Sequence, residues 1–157
     1  MNASPPDSAA VIAPPPLLYL AALGIAVILQ FVFPQPIDTA ADLLRITGLL
    51  LMAISAVIAR WAFVTMRRIG TSASPREQSN ALAIRGPFRF SRNPIYVAMT
   101  GLYLGIACVS NSWWPLFLLL PLLAIMQWGV VLREERYLAK QFGAAYLSYK
   151  SATRRWL

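Results

Sequence analysis

Four long apolar runs alternate with shorter polar stretches along the chain. A helix needs roughly 17–25 apolar residues to cross a bilayer, and the runs approach or reach that length. Prolines, or turns containing glycine or asparagine, separate the runs, and these residues interrupt helices. The pattern predicts four membrane-spanning helices, over residues 17–33, 43–64, 94–109 and 113–132. The expected fold class is all-α, an integral membrane helical bundle.

Two regions outside these runs have a different character. Residues 65–93 are polar and basic, which predicts a cytoplasmic loop that is long enough to be functional. Residues 133–150 predict an amphipathic C-terminal helix with one apolar face. The apolar positions of that face are Leu138, Phe142, Tyr146 and Tyr149. Gly143 disfavours a helix interior by roughly 1 kcal/mol relative to alanine, so we expect a kink there.

The start of the chain is rich in proline, alanine and serine. We expect residues 1–16 to form a disordered tail. A cleavable signal peptide would have Lys or Arg ahead of its apolar stretch. None precedes Leu17, so the first helix is predicted to be retained, and residues 17–157 are predicted to form a single membrane domain.

The composition agrees with lipid as the solvent. Hydrophobic residues make up 58% of the chain and charged residues only 13%, whereas soluble domains have roughly 25% charged residues. The formal net charge is +8, which indicates contact with anionic membrane lipids. Nucleic acid is excluded as a partner, because no soluble basic face remains once the helices are inserted.

The distribution of charge predicts the orientation in the membrane. Residues 65–93 and the segment after residue 132 are strongly basic, whereas the first loop carries Asp38 and Asp42. Lys and Arg concentrate in cytoplasmic loops, so we expect both basic segments, and with them both termini, at the cytoplasmic face. The Arg-rich composition and small size indicate a bacterial inner (cytoplasmic) membrane.

Few types of reactive side chain are available. The chain has no histidine and a single cysteine, Cys108. A Cys/His zinc site and an imidazole base are therefore excluded, and no metal site is expected. The candidate chemistry rests on Arg, Asn, Tyr and Glu side chains, which cluster in two segments.

The first segment runs from Gly86 to Tyr96, at the start of the third membrane helix. Arg89 and Arg92 can bind a carboxylate or a phosphate, because the planar guanidinium forms paired hydrogen bonds with either group. Asn93 can cap the helix. The alternative is a capped helix start whose arginines extend to lipid phosphates.

The second segment, Arg133 to Arg136, directly follows the fourth membrane helix. Its two carboxylates, Glu134 and Glu135, are unfavourable at a membrane surface unless they contact cations or hydroxyl groups. They can accept hydrogen bonds from ribose hydroxyls or from an ammonium group. The alternative is a pair of local salt bridges at a helix boundary.

Two glycines in the third membrane helix, Gly101 and Gly105, lie four residues apart and allow close packing. The hairpin of the last two spans, a homo-oligomer or a ligand groove can each use such a surface. Because this face lacks bulky side chains, we also expect a groove toward lipid there, through which a lipophilic substrate would enter.

The two polar segments together resemble the isoprenylcysteine carboxyl methyltransferase and phosphatidylethanolamine N-methyltransferase superfamily. The family pattern Gly-Pro-[Phe/Tyr]-Arg-x-x-Arg-[His/Asn]-Pro-x-Tyr is matched from Gly86 to Tyr96. The pattern Glu-Glu-x-x-Leu-x-x-x-Phe-Gly-x-x-Tyr-x-x-Tyr is matched from Glu134 to Tyr149. The resemblance covers about residues 45–150.

The resemblance implies a membrane methyltransferase that uses S-adenosylmethionine at the cytoplasmic face. The implied catalytic residues are Arg92, Asn93, Tyr96, Glu134 and Glu135. The implied cofactor-binding residues are Gly86, Pro87, Arg89, Arg92, Asn93, Pro94, Tyr96, Glu134, Glu135 and Tyr146. The arginines would bind the cofactor carboxylate or the substrate headgroup, and the asparagine and tyrosine would orient the cofactor. The glutamates would hold ribose or amino groups, or one of them would take a proton from an amine.

The resemblance also implies a lipophilic methyl acceptor, either a phospholipid amine or a lipidic carboxylate. At Asn93 the chain resembles the lipid N-methyltransferases more closely than the carboxyl methyltransferases, which usually have histidine at that position. Three alternatives stay open. They are methyl transfer to a small thiol, an NADPH-dependent reductase of the related sterol reductase group, and a non-catalytic membrane subunit.

Overall fold

The computed structural model describes residues 9–37, 41–72 and 79–157. Within these ranges every regular element is helical, and one isolated bridge joins Pro36 to Ser112. The predicted all-α membrane bundle is therefore confirmed. The predictions for Asp38 and for the middle of the basic loop, residues 73–78, fall outside the described residues.

Five α-helices form the bundle. They are α1 (Pro15–Val32), α2 (Ala41–Arg68), α3 (Pro94–Val109), α4 (Trp113–Ile125) and α5 (Leu132–Ala152). A 3₁₀ turn, Gly86–Arg89, precedes α3, and a π-helical segment, Met126–Val131, joins α4 to α5. The predicted helical ranges 17–33, 43–64, 94–109 and 133–150 lie within about four residues of α1, α2, α3 and α5, whereas the predicted range 113–132 covers α4 together with the π-helical segment.

In the described part of the chain, three helical stretches are long and apolar enough to cross a membrane. They are α1, α2 and the continuous stretch from α4 through α5, whose most apolar windows have mean hydropathies of 2.0, 2.0 and 2.1. The apolar part of the last stretch ends at Leu132, because four charged residues follow it. Helix α3 has 16 residues and extends about 24 Å at roughly 1.5 Å per residue, so it is a shorter apolar helix.

The loop after α1 and the turn between α3 and α4 lie together at one end of the bundle. The Trp113 backbone N–H donates to the Gln35 carbonyl at 3.0 Å, and Trp114 Nε1 donates to the Phe33 carbonyl at 2.7 Å. Helices α1 to α4 alternate in direction and α5 continues α4, so the end of α2, the start of α3 and the start of α5 lie at the other end. The described parts of both basic segments are found there.

Small residues allow α2 and α3 to pack closely. A Cβ at Gly48 would lie 2.6 Å from the Gly105 carbonyl oxygen, and a Cβ at Gly101 would overlap the Ser55 side chain. Helix α2 therefore fills the face of α3 that carries Gly101 and Gly105. The expectation that these glycines open a groove toward lipid was wrong, because that face is a helix–helix contact inside the bundle.

The π-helical segment Met126–Val131 forms the final part of the last membrane span, just before the two glutamates. A π turn holds more residues than an α turn, so it changes which face of the helix the following side chains occupy, and such turns are frequent at functional sites. Met126, Val130 and Val131 are fully buried in the main core cluster. The rigid packing of this segment fixes the start of α5.

Helix α5 breaks at Gly143, whose φ of 51° and ψ of −127° are not helical. A positive φ is accessible to glycine because it lacks a Cβ, and the predicted kink is confirmed. The break separates the part of α5 with the glutamates from the part with Tyr146. Both parts still contribute to one cavity.

Part of the predicted N-terminal tail packs on the bundle. The Ile12 backbone N–H donates to the Gly129 carbonyl at 3.2 Å, and Arg133 Nη1 donates to the Ala10 carbonyl at 2.8 Å. Residues 9–14 therefore belong to the folded structure and not to a disordered segment. The prediction for residues 1–8 falls outside the described residues.

Candidate functional site

The 3₁₀ turn Gly86–Arg89 anchors the loop that leads into α3. Gly86 has a φ of +61°, and a Cβ there would lie 2.8 Å from Thr65 Oγ1 of α2, so both its conformation and its space favour glycine. The buried Phe88 packs with Ala62 of α2, and its carbonyl accepts a 2.7 Å hydrogen bond from the Tyr149 hydroxyl. This turn holds the loop against both α2 and α5.

The start of α3 differs from the predicted capped helix. Asn93 precedes the helix, but its side chain forms no capping hydrogen bond. Instead, Asn93 Nδ2 donates to the Arg155 carbonyl at 2.9 Å, and the Asn93 backbone N–H donates to Ser91 Oγ at 3.1 Å. The prediction that Asn93 caps α3 was therefore wrong, since its amide binds a distant segment of the chain.

A cavity of about 880 Å³, counted together with its open mouth, lies among the start of α3, the segment after residue 78 and α5. Seven of the sequence-predicted site residues line it, namely Arg92, Asn93, Pro94, Tyr96, Glu134, Glu135 and Tyr146. Most of the remaining wall is apolar or aromatic and includes Met66, Leu82, Phe88, Ile95, Tyr137, Leu138 and Tyr149. The structure thus brings the two predicted segments to one cavity.

Three sequence-predicted site residues do not line the cavity. Gly86 and Pro87 belong to the 3₁₀ turn and pack against the rest of the fold, and Arg89 is exposed. The first two residues therefore support the loop. The side chain of Arg89 lies outside the cavity, on the surface of the protein.

Glu134 is a partly buried carboxylate with a single polar contact given by the structure. The Tyr96 hydroxyl donates to Glu134 Oε1 at 2.5 Å. Burial raises the pKa of Glu134 to about 7, although the hydrogen bond from Tyr96 acts to lower it. Near neutral pH this group therefore exchanges readily between a carboxylate and a carboxylic acid.

Glu135, the next residue, is surrounded by cations. Arg155 donates to both of its oxygens, at 2.7 and 3.0 Å, and Lys150 Nζ lies 3.3 Å from Oε2. Arg92 Nη2 lies 3.4 Å from Oε1. Burial acts to raise the pKa of Glu135, but the hydrogen bond from Arg155 and the charge of Arg92 hold it below its ordinary value. The described salt bridges of Glu135 involve Arg92, Lys150 and Arg155 and not its sequence neighbours Arg133 and Arg136, so they are not the local pairs of the alternative interpretation.

Arg92 connects Glu135 to the cavity. Its side chain is only 9% exposed, and Nε and Nη1 have no hydrogen-bond partner among the described residues. Buried donors without a partner are unfavourable by about 1–3 kcal/mol, and more when the group is charged. An anion in the cavity would satisfy both donors, since guanidinium binds carboxylate or phosphate in this way.

Several residues of the site carried no signal in the sequence. Arg155 lies twenty positions after Glu135 in the chain, and Lys150 lies fifteen after it. The Tyr137 hydroxyl, which accepts a 3.0 Å hydrogen bond from the Ser79 backbone N–H, closes another side of the cavity. The one available indication was general, because a buried carboxylate needs cations or hydrogen-bond donors.

The cavity offers two complementary polar groups within mostly apolar walls. Arg92 provides donors for an anionic group, and Glu134 provides an acceptor for hydroxyl or ammonium groups or for a proton. Burial raises the pKa of the Tyr146 hydroxyl to about 12, so this tyrosine remains protonated near neutral pH. Such an arrangement suits a ligand with opposite charges and an apolar or aromatic part.

Comparison with protein families gave one match. A family model described as phospholipid methyltransferase matches residues 43–145, from the start of α2 to the part of α5 beyond its kink. The matched region includes both polar segments and most of the cavity. Comparisons with curated proteins and with solved structures gave no match.

Proposed function

The chain belongs to the phospholipid methyltransferase family and is a membrane methyltransferase by that membership; from this premise we propose that it transfers a methyl group from S-adenosylmethionine to a lipophilic acceptor. The observation that carries the proposal is the cavity that holds both the Arg92 donors, which have no partner among the described residues, and the partly buried carboxylate of Glu134. We further propose that this cavity opens at the cytoplasmic face, because the basic segments lie at its end of the bundle.

The residues present fit the cofactor group by group. Its carboxylate matches Nε and Nη1 of Arg92, which otherwise remain without partners in the described structure. Its ammonium group or ribose hydroxyls match Glu134, the carboxylate of the cavity that forms no salt bridge with any described residue. Its adenine matches the apolar and aromatic wall, where Leu82 and Leu138 lie. The Asn93 side chain binds the Arg155 backbone carbonyl, and the Tyr96 hydroxyl binds the Glu134 carboxylate.

When bound, S-adenosylmethionine supplies a methyl group that its sulfonium has already activated toward nucleophiles. The protein then needs to align the acceptor and to exclude water, which a partly closed apolar cavity does. Glu134 can accept the proton that an amine or a thiol loses on methylation, because its pKa of about 7 lies near neutral pH. No side chain needs to act as a covalent nucleophile.

The proposed acceptor is a phospholipid amine or a lipidic carboxylate. The cavity lies where α3 begins and where the apolar part of the last span ends, which supports a position at the depth of lipid headgroups. Its walls are mostly apolar, which favours a substrate that carries acyl or prenyl chains. The entrance does not run between Gly101 and Gly105, because α2 covers that face.

The test is a methyl-transfer assay with purified protein, methyl-labelled S-adenosylmethionine and a total lipid extract whose products are separated by class. We expect label in a lipid fraction, and a large loss of label with Arg92→Ala, which removes the proposed anion contact. An Arg89→Ala variant removes an exposed arginine from the same loop and serves as the matched control. Label only in small water-soluble acceptors, or binding of NADPH in place of the adenosyl cofactor, would contradict the proposal.

A further inference from the structure

The segment after α5, residues 153–157, folds back onto the start of α3. The Arg92 backbone N–H donates to the Arg154 carbonyl at 2.9 Å. The Arg155 carbonyl accepts a 2.9 Å hydrogen bond from Asn93 Nδ2. We call residues 153–157 the clasp, because its backbone binds the loop that supplies Arg92 and Asn93 to the cavity.

The clasp also reaches the π-helical segment. Trp156 Nε1 donates to Gln127 Oε1 at 3.1 Å, and the Trp156 side chain packs against the main core cluster. Tryptophan provides a large apolar surface and one donor, so it makes a strong anchor when both are used. The position of the clasp is therefore fixed on both sides of Arg155.

The Arg155 side chain occupies both oxygens of Glu135. Nε lies 2.7 Å from Oε1 and Nη2 lies 3.0 Å from Oε2, which is the paired geometry that arginine forms with a carboxylate. Arg92 has only a longer contact with this carboxylate, 3.4 Å from Nη2 to Oε1. Arg92 Nε and Nη1 remain unpartnered among the described residues, and Arg92 lines the cavity.

Three cations thus share one carboxylate, and of the two arginines only Arg155 forms the paired contact with it. If Arg155 were absent, we expect Arg92 to form the paired hydrogen bonds with Glu135, and its donors would then turn away from the cavity. We propose that Arg155 is a positioning residue, which by saturating Glu135 keeps Nε and Nη1 of Arg92 available to an anionic group of the bound ligand. The identity of that group as the cofactor carboxylate rests on the proposed function.

A ligand-free measurement tests the positioning directly. Protein with ¹⁵N-labelled arginine is purified in detergent, and the Arg92 Nε–H resonance is assigned by its loss in Arg92→Lys. Arg155→Met should shift this resonance and slow its hydrogen exchange, because Nε gains a carboxylate partner. Arg154→Met is the matched control, since it removes an exposed cation one residue away and keeps the backbone contact. An unchanged Arg92 resonance in Arg155→Met would overturn the proposal.

A binding measurement then connects the positioning to function. Calorimetry with S-adenosylhomocysteine, which retains the carboxylate, should show affinity about tenfold to a hundredfold weaker for Arg155→Met, the loss expected for one charged hydrogen bond. Arg154→Met should bind within about twofold of the wild type, as surface substitutions usually do. Equal affinity of Arg155→Met and the wild type would overturn the proposal.

Two further outcomes are distinguishable from these. If the wild type binds no S-adenosylhomocysteine but the Arg92 resonance moves in Arg155→Met, the proposed function fails and the positioning of Arg92 stands. If Arg155→Met does not fold, Arg155→Lys carries the test, because lysine keeps the charge but cannot form the paired contact. A smaller change of the same sign is then expected in both measurements, and wild-type behaviour in both would overturn the proposal.

Discussion

Two adjacent carboxylates of α5 lie on the same cavity and have opposite surroundings. Glu134 is partly buried beside the Tyr96 hydroxyl, and desolvation raises its pKa to about 7. Glu135 is buried among Arg155, Lys150 and Arg92, and these cations hold its pKa below the ordinary value. The same residue type can thus provide an exchangeable proton site or a fixed anion, and the partners from distant segments decide which.

The difference assigns separate tasks to the two residues. Glu135 holds together α5, the clasp and the loop before α3, so we expect its loss to affect folding first. Glu134 has no cation beside it in the described structure, so it remains available to a ligand. Pairs of titratable groups whose surroundings move their pKa values apart commonly divide acid–base work in this way.

The largest expected effect is on the stability of Glu135→Leu. Removing this carboxylate leaves the buried Arg92 without a counter-charge, together with the partly exposed Arg155 and Lys150. Such a loss is unfavourable by about 3–5 kcal/mol when a buried ion pair loses one partner. Denaturant or thermal unfolding in detergent measures the loss. Glu134→Leu is the matched control and should lose about 1–3 kcal/mol, because one buried hydroxyl loses its acceptor. Equal losses in the two variants would remove the contrast.

The two glutamates should also give opposite dependences of stability on pH. The raised pKa of Glu134 contributes stability that is complete below about pH 4.5, its unfolded value, and is lost as the pH rises through about 7. The lowered pKa of Glu135 contributes stability above pH 4.5 that is lost as the pH falls through its folded value. At about 1.4 kcal/mol per pKa unit, the part due to Glu134 amounts to about 3.5 kcal/mol at most.

Unfolding measured between pH 5 and pH 8 checks this prediction, since Glu134→Gln should flatten the decline seen in the wild type. The decline below pH 4.5 should persist in that variant, because it depends on Glu135. A wild type and a Glu134→Gln variant with parallel pH profiles would show that Glu134 ionises normally in the folded state.

A smaller effect is expected from Tyr96→Phe. The lost hydrogen bond raises the pKa of Glu134 further, because that bond acts to lower it, so the acidic limb of the methyl-transfer profile should move to higher pH. We expect a roughly tenfold lower rate at pH 7, in the range for a hydrogen bond to a charged group. Tyr103→Phe is the control, because that buried hydroxyl has no partner among the described residues. Equal rates for both variants would exclude Tyr96 from the site.

The smallest effect is expected at Arg89. This side chain is exposed outside the cavity, so Arg89→Ala should change stability by less than about 0.5 kcal/mol and leave methyl transfer unchanged. Arg92→Ala, three residues further along, should lose most of the methyl transfer. An Arg89→Ala variant as impaired as Arg92→Ala would mean that Arg89 reaches the ligand.

The sequence predicted the helices well because their determinants are local. A long apolar run favours a helix over its own length. Likewise, α3 begins at Pro94, and α5 breaks at Gly143. The meeting of the two polar segments was also predictable, because a single helical hairpin separates them and returns the chain to the same end.

Other features depend on distant partners, which a sequence pattern does not contain. Asparagine is a residue type that often caps helices, but the side-chain amide of Asn93 donates its hydrogen bond to the Arg155 carbonyl instead. A glycine such as Gly101 is compatible with a lipid groove and with a helix–helix contact. The structure shows the contact, because Ser55 of α2 lies against Gly101. The unequal roles of Glu134 and Glu135 likewise come from side chains on α3 and on the clasp.

The most direct test is equilibrium binding of S-adenosylhomocysteine to the purified protein in detergent, compared between the wild type and Glu134→Gln. One saturable site is predicted in the wild type, with affinity about tenfold to a hundredfold weaker in the variant, because glutamine keeps the shape but loses a charged acceptor. Circular dichroism should show the same helix content in both. No binding by the wild type at millimolar ligand, or equal affinity in the two proteins, would contradict a cofactor site at Glu134.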